Sequence, residues 1–314
     1  MRSALRFLLL AALAPCLPSA LFGQSLSPRA YVITPVDTNV FNVTWTFNTG
    51  AIQLNNTAPI TGADGTVNEF LPTYYHALSF FGRSANVLVG LPYAVGTFEG
   101  LVVDHKESTY RSGIGDGLIR FSVNLKGGPA MKMPQFTKWK QKTLLGASLF
   151  VQMPTGQYNP TKLINIGANR WGFKPEFGYS QKWGNWVLDA YAGVWFFTTN
   201  SEFFSHNRFF PGTNTQSQAP MGSFEGHLSY DFKPRLWASL DGNFWFGGET
   251  SLNGKSSPTT RQQDSRVGLT VAIPITKHQS LKFAYSNGAY VRFGGDFQAI
   301  SAAWQYNWIG RRTK

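Results

Sequence analysis

Cysteine is almost missing from this chain: Cys16 is the single one among 314 residues, and it stands in the N-terminal stretch. Disulfides, thiol catalysis and Cys-based metal sites are therefore excluded for whatever follows that stretch. Acid is scarce too. Sixteen Asp and Glu face 28 Lys and Arg, and charged residues make up 14% of the chain, against roughly a quarter in a soluble domain. The formal charge of +12 would suit nucleic acid. Its basic residues are scattered instead of gathered in one element, so no nucleic-acid partner is expected. The histidines (His76, His105, His206, His227 and His278) lack metal-ligand spacing, so neither a metal nor a cofactor is expected. Long apolar runs are lacking as well. The run from Leu5 to Leu13 is too short to span a bilayer as a helix, and no later stretch is apolar enough.

What is present begins with an export signal. Arg2 and Arg6 supply a basic start, the apolar run follows, and small residues (Ala20, Gly23) mark a plausible cleavage point. Residues 1–24 thus read as a cleaved signal peptide that removes Cys16 with it. If an exported chain without a membrane helix spans a membrane, it must do so as a closed barrel, which pairs every backbone amide in lipid. Aromatics at 15% and 32 glycines suit a wall with lipid outside and water inside.

Period-two alternation recurs down the mature chain. Phe41, Val43, Trp45 and Phe47 alternate with Asn42, Thr44, Thr46 and Asn48. Leu145, Ala147, Leu149, Val151 and Met153 oppose Gly146, Ser148 and Gln152. Successive strand side chains point to opposite faces, so each segment has one oily and one wet face. About twelve such segments, an even number, lie near 39–48, 66–80, 84–95, 116–125, 143–153, 171–181, 185–198, 222–232, 236–247, 265–275, 280–290 and 296–308. Short connections fall at Phe81–Arg83, Lys182–Asn185, Lys233–Arg235 and Thr276–Gln279. Longer ones run through 49–65, 96–115, 154–170, 199–221 and 248–264. Short periplasmic turns and long outer loops are the barrel convention, and a soluble β-sandwich has no reason to sort loops this way. The exception is the long connection 126–142, which carries Lys126, Lys132, Lys138, Lys140 and Lys142 without an acid. It reads as a solvated connection or as a contact for anionic lipid headgroups.

The expectation is an all-β protein: a signal peptide, a segment 25–38 able to fold into the lumen as a stopper, a transmembrane antiparallel barrel over 39–308, and a tail at 309–314. Trp304, Tyr306 and Trp308 on the final segment suit both interfacial anchoring and a terminal signal read by the barrel-assembly machinery.

Several stretches carry a family resemblance: Leu26–Tyr31, Phe81–Val87, Arg111–Asp116, Pro154–Tyr158, Asn169–Trp171, Phe173–Glu176, Tyr191–Phe197 and Gly226–Tyr230. In these the chain resembles the outer-membrane barrel family labelled "putative MetA-pathway of phenol degradation", often described as a transporter family. The resemblance runs from about residue 26 to Trp308. It implies an integral outer-membrane barrel and suggests aromatic-compound metabolism, without fixing a transported molecule. The tail after Trp308 departs from the pattern.

Two motifs and two side-chain sets bear on chemistry. Gly113–Gly117 looks faintly like a phosphate loop but precedes a strand, so it reads as a loop-to-strand junction. His278-Gln279-Ser280 resembles the His-x-Ser stretch of outer-membrane phospholipase, yet it falls in a short turn with no evident third member. The inward face is the main candidate: Arg120, Lys174, Glu176, Asp189, Tyr191, Glu225, His227, Asp231, Asp241, Arg266 and Lys282. Such charges either line a channel or pair and plug it. Turn spacing sets His227 across from Asp241, Glu176 opposite Tyr191 and Lys174 opposite Gly193, along a wall that carries more acid than base and should favour cations. In loop 199–221, Phe203, Phe204, Phe209 and Phe210 are candidates for ligand contact or for packing over the mouth. The reading is a passive outer-membrane channel for small hydrophobic or aromatic molecules, with outer-membrane lipids, the assembly machinery and the solute as partners. The alternatives are a non-conducting structural or adhesive barrel and, last, a lipolytic enzyme.

Overall fold

The computed structural model describes residues 26–53, 60–102, 105–207 and 210–310. The expected signal peptide, Cys16 within it, and the tail beyond Gly310 lie outside the described residues. The wall is built from β1 (Thr38–Gln53), β2 (Ile60–Phe80), β3 (Arg83–Gly90), β6 (Gly117–Lys126), β7 (Thr143–Met153) and β8 (Gly172–Trp183). It continues through β9 (Trp186–Phe197), β11 (Met221–Lys233), β12 (Leu236–Gly247), β15 (Gln262–Pro274), β16 (Gln279–Tyr290) and β17 (Gly294–Ile309). Neighbours pair antiparallel all the way round, and β1 bonds to both β2 and β17, so the twelve-strand sheet closes on itself. The β1–β17 ladder runs from Thr38↔Ile309 to Gln53↔Gly294.

The alternation explains the orientation of each strand. On β8, Phe177 is 67% exposed while Lys174 and Glu176 are buried; on β12, Leu240 is 59% exposed while Asp241 is buried. Large apolar side chains face outward into lipid, and polar ones face the lumen. Tight turns set the register at the periplasmic rim. Phe81 and Gly82, Gly184, and Arg235 adopt positive φ there, the conformation a two-residue hairpin needs.

Four segments expected as loops contain strands; in 199–221 and 248–264 these are short, β10 (Gln216–Gln218), β13 (Thr250–Leu252) and β14 (Lys255–Ser257), and form a separate small sheet. Within 96–115 lies a hairpin of β4 (Tyr93–Val102) and β5 (His105–Ile114), and β1 and β2 extend well into 49–65. β3 and β4 continue one another across Leu91–Pro92, as β5 and β6 do across Gly115–Asp116. The break keeps its backbone bonds: Leu91 donates to Pro72 and Gly115 donates to Pro92. This extension rises past the rim. β5 (His-Lys-Glu-Ser-Thr-Tyr-Arg-Ser-Gly-Ile) is solvent-exposed on both faces over most of its length, so it lacks the oily alternation that marks a lipid-facing strand.

Both ends of the barrel are covered. At the outer mouth Ile52, Val67, Ala94, Phe98 and Phe297 form an apolar cluster, on which Ile164 and Ile166 of loop 154–170 pack. Asp116 pins that loop by accepting hydrogen bonds from Gly156 and Ala168. At the inner end the connection 127–142 carries a short helix, α1 (Met133–Phe136), and Met131 packs with Ile33 and Leu144. The lysines of this connection are exposed.

The faces predict unequal costs for a new charge. Val151 shares the lipid face of β7 with Leu149, whereas Thr44 borders open lumen. Val151→Arg is expected to lower stability by about 2–4 kcal/mol and Thr44→Arg by less than about 1 kcal/mol. Equilibrium unfolding in lipid checks this, and equal losses would overturn the assigned faces.

Candidate functional site: the lumen and the segment seated in it

Residues 26–37 run inside the barrel and are held by side chains of the wall. Their backbone supplies three donors to side chains of the wall. Ser27 N–H reaches Glu225 at 3.4 Å, Arg29 N–H reaches Asp189 at 3.1 Å, and Ala30 N–H reaches the Tyr191 hydroxyl at 3.0 Å. The Arg29 guanidinium lies 2.7 Å from Asp231 and 4.4 Å over the Trp237 ring. Thr34 shares a hydrogen bond of 2.8 Å with Tyr75, and Val36 N–H donates to Met131.

Tyr31 is the central contact. Gly146 of β7 and Gly178 of β8 are register partners, and together they leave a bare patch of wall on which the Tyr31 ring lies. A Cβ added at Gly146 would come within 2.4 Å of that ring, and one at Gly178 within 2.2 Å. Glycine inside a strand marks such a close approach. The Tyr31 hydroxyl lies 2.5 Å from Ser148 and donates to Glu176 at 3.1 Å. Arg120 sits 4.9 Å over its ring.

The structure places the eleven candidate side chains in two groups. The first group lines the wall from β8 to β12. Lys174 lies 2.7 Å from Glu176 and 3.9 Å from Glu225. His227 stands between Glu225 at 3.4 Å and Asp241 at 2.9 Å, across the hairpin as its spacing requires. Ser239 and Thr270 each donate to Asp241 at 2.6 Å. Asp231 takes both Arg29 and Lys182. The acids on this wall are therefore occupied by cations, hydroxyls and the backbone of the seated segment.

Four of these five acids lie in ion pairs, which weakens the field behind the expected cation preference, while Asp189 holds the Arg29 backbone N–H and keeps its charge. The register needs a correction. Glu176 faces Gly193, and Gly178 faces Tyr191. The turn is the two-residue Gly184–Asn185, with Trp183 opposite Trp186, so the pairing slips by two residues and keeps its face. Gly193 makes room for the stems of Lys174 and Glu176, whose carbons an added Cβ would meet at 3.1 and 3.2 Å. Ser148 also differs from a freely hydrated lumen position, because it seats Tyr31.

The second group (Arg120, Arg266 and Lys282) borders a cavity of about 320 Å³ beside the segment. Its walls come from β15–β17, β1–β3, β6 and β7, and include Asn42, Thr44, Thr46, Glu69, Leu71 and Leu88. Leu26 and Ser27 close one side of it. Above it, Trp195, Met221 and Trp245 form a buried aromatic cluster with Phe150 and Phe197 against it.

The loop phenylalanines do not form an exposed cluster. Phe203 and Phe204 are buried against Leu163 and Leu252, where they hold the loops together and cannot contact a solute from outside. Phe210 is partly exposed, and Phe209 lies outside the described residues. His278 Nδ1 lies 3.0 Å from the Asn307 carbonyl, and among the described residues no hydrogen bond joins it to Ser280. Sequence reasoning missed Tyr31, Arg29, Ser148 and Glu69. The available signal was the pair of inward glycines at 146 and 178.

Gly178→Ala should unseat Tyr31, destabilising the seated segment by about 1–3 kcal/mol. Trypsin cleavage at Arg29 in the folded barrel should then accelerate about tenfold or more. An unchanged rate would show that the glycine patch does not hold the segment.

No curated protein matches the chain. Among solved structures, an outer membrane channel from Pseudomonas putida F1 superposes with a TM-score of 0.73 at 16% identity, covering 90% of this chain and 100% of that one. The transport unit of the autotransporter AIDA-I from Escherichia coli gives a TM-score of 0.51 at 12% identity, covering 94% of this chain and 95% of that one. At these identities the likeness establishes the fold. A family model matches residues 32–300, and the chain belongs to the family described as "Putative MetA-pathway of phenol degradation".

Proposed function

We propose that the protein is a passive channel of the outer membrane for small hydrophobic or aromatic molecules, opened when its N-terminal segment leaves the lumen. The observation that carries this reading is the way the lumen is filled. The segment at 26–37 is seated by side-chain contacts of the wall, and a cavity of about 320 Å³ stays open beside it. A structural barrel would fill that space with packed side chains, as protein interiors normally do.

The lining suits polar-tipped apolar solutes. Leu71, Leu88, Leu118 and Phe150 offer apolar surface, while Asn42, Thr44 and Ser301 offer hydrogen bonds. The family description speaks of phenol degradation, and the similar Pseudomonas protein is titled an outer membrane channel; both support the reading. The protein carries out no covalent chemistry in it. Insertion by the barrel-assembly machinery, through the terminal strand with Trp304, Tyr306 and Trp308, belongs to the same proposal.

Proteoliposome uptake tests it with a panel of aromatic and aliphatic solutes. Wild type should admit small aromatics, and Tyr31→Ala should raise both uptake and planar-bilayer conductance several-fold. Removing its hydroxyl contacts withdraws about 1–3 kcal/mol of seating. If wild type and variant both fold and pass nothing, the non-conducting structural barrel replaces the channel.

A further inference from the structure

The ionic groups of the lumen are sorted by wall. Every acid on the β8–β12 side has a partner, and the positive charges on the cavity side include one that does not. Lys282 is that cation. Its register partners are Ala272 on β15 and Ala303 on β17, both small and uncharged. Ser280 and Ala284 flank it along its own strand, with Thr270, Pro274, Ser301 and Gln305 as the diagonal neighbours. Continuing along the same row, Ala303 faces Thr44, and Thr44 faces Leu71. An ammonium thus borders the cavity with alanines on each side and an apolar side chain further round the wall.

Among the described residues Lys282 makes no hydrogen bond and no ion pair. Asp241 acts on it at longer range, and that carboxylate is already held by His227, Ser239 and Thr270. Lys174 shows the contrast, since Glu176 lies 2.7 Å from its ammonium. A cation withdrawn from bulk water and left without a counter-charge is unfavourable until an anion joins it.

The surroundings favour that anion. Arg266, on the same wall, donates to Ser286 at 3.0 Å. Ser286 stands four residues beyond Lys282 on β16, or about 13 Å along the strand. Arg120, which also lies 4.0 Å from Glu176, borders the cavity as a third cation, and Glu69 is the one acid among the residues bordering it. Asp296 lies near Arg266, outside that border. The periplasmic exit carries the exposed lysines of 126–142, so the field there also draws anions.

We propose that the cavity binds an amphiphilic anion, a carboxylate or phenolate on an aromatic or short apolar body, with Lys282 holding its charge and Arg266 serving as the outer anchor. Leu71, Leu88, Leu118 and Phe150 would take the apolar body. This deepens the channel reading and rests on it for passage, but binding can be measured without passage.

The test uses the full chain in lipid nanodiscs, with 1-naphthoate and 1-naphthalenemethanol as probes that share a ring and differ in charge. Equilibrium dialysis is corrected by empty nanodiscs for partition into lipid. Wild type should bind naphthoate about tenfold or more tightly than the alcohol, the scale of one charge-assisted contact. Lys282→Met should bring the ratio of the two affinities close to one, and Lys282→Arg should restore the preference. Heat-dependent gel mobility verifies that each variant folds. Equal binding of both probes by wild type, no binding of either, or an unchanged ratio in Lys282→Met would overturn the inference. A wild type that prefers naphthoate in dialysis yet passes no solute in proteoliposomes keeps the anion site and removes the channel.

Discussion

In hydrocarbon no water is available to a free N–H or C=O, and each unpaired group there is strongly unfavourable. The sixteen-residue ladder between β1 and β17 answers that requirement, because it turns the sheet into a closed wall with no edge in lipid. Closure has a consequence for the inside. With side chains alternating, the oily half of every strand is committed to lipid, so the lumen receives the polar half. A cylinder lined with Asp, Glu, Lys and Arg cannot collapse into a dry core. It must be filled by water, by paired charges or by another piece of the chain. This barrel uses paired charges and its own residues 26–37 in one sector and leaves a cavity in another.

The sector from β8 to β12 shows how the acids are kept. Glu176, Asp189, Glu225, Asp231 and Asp241 are held by Lys174, His227, Lys182, neighbouring hydroxyls and the backbone or guanidinium of residues 27–31. Removing one partner of such a buried pair leaves the other uncompensated, at about 3–5 kcal/mol. The pairs therefore fix the position of the seated segment more than they raise stability. The opposite sector, with Asn42, Thr44, Thr46 and Ser301, holds mostly uncharged groups that water can solvate or a solute can displace.

Much of this architecture was legible in the sequence. Phe41 to Asn48 and Leu145 to Met153 announce their faces by alternation alone, and the turn before Leu236 places His227 opposite Asp241. The hairpin of β4 and β5 was not legible, because above the membrane neither face meets lipid and alternation loses its cause. The slip at β8–β9 arose because Trp183 and Trp186 already pair, and a four-residue spacer reads the same as a two-residue turn plus one pair. The seat of Tyr31 was hidden for a different reason. It joins positions 31, 146 and 178, which no local pattern connects, and its signature is the absence of side chains at two of them.

Because residues 26–35 are held by side-chain contacts while Val36 and Asp37 bond backbone to backbone and Thr38 continues directly into β1, the seated segment behaves as a ligand tied to its own receptor. Its local concentration is set by the tether and stays the same however dilute the protein is, on the order of millimolar for a short flexible link. A solute approaching the lumen thus competes with an occupant that never diffuses away. The affinity it shows is its intrinsic affinity multiplied by the fraction of time the tether leaves the seat empty. Flux through such a barrel would scale with the fraction of time that the seat formed by Tyr31 and its two glycines stands empty.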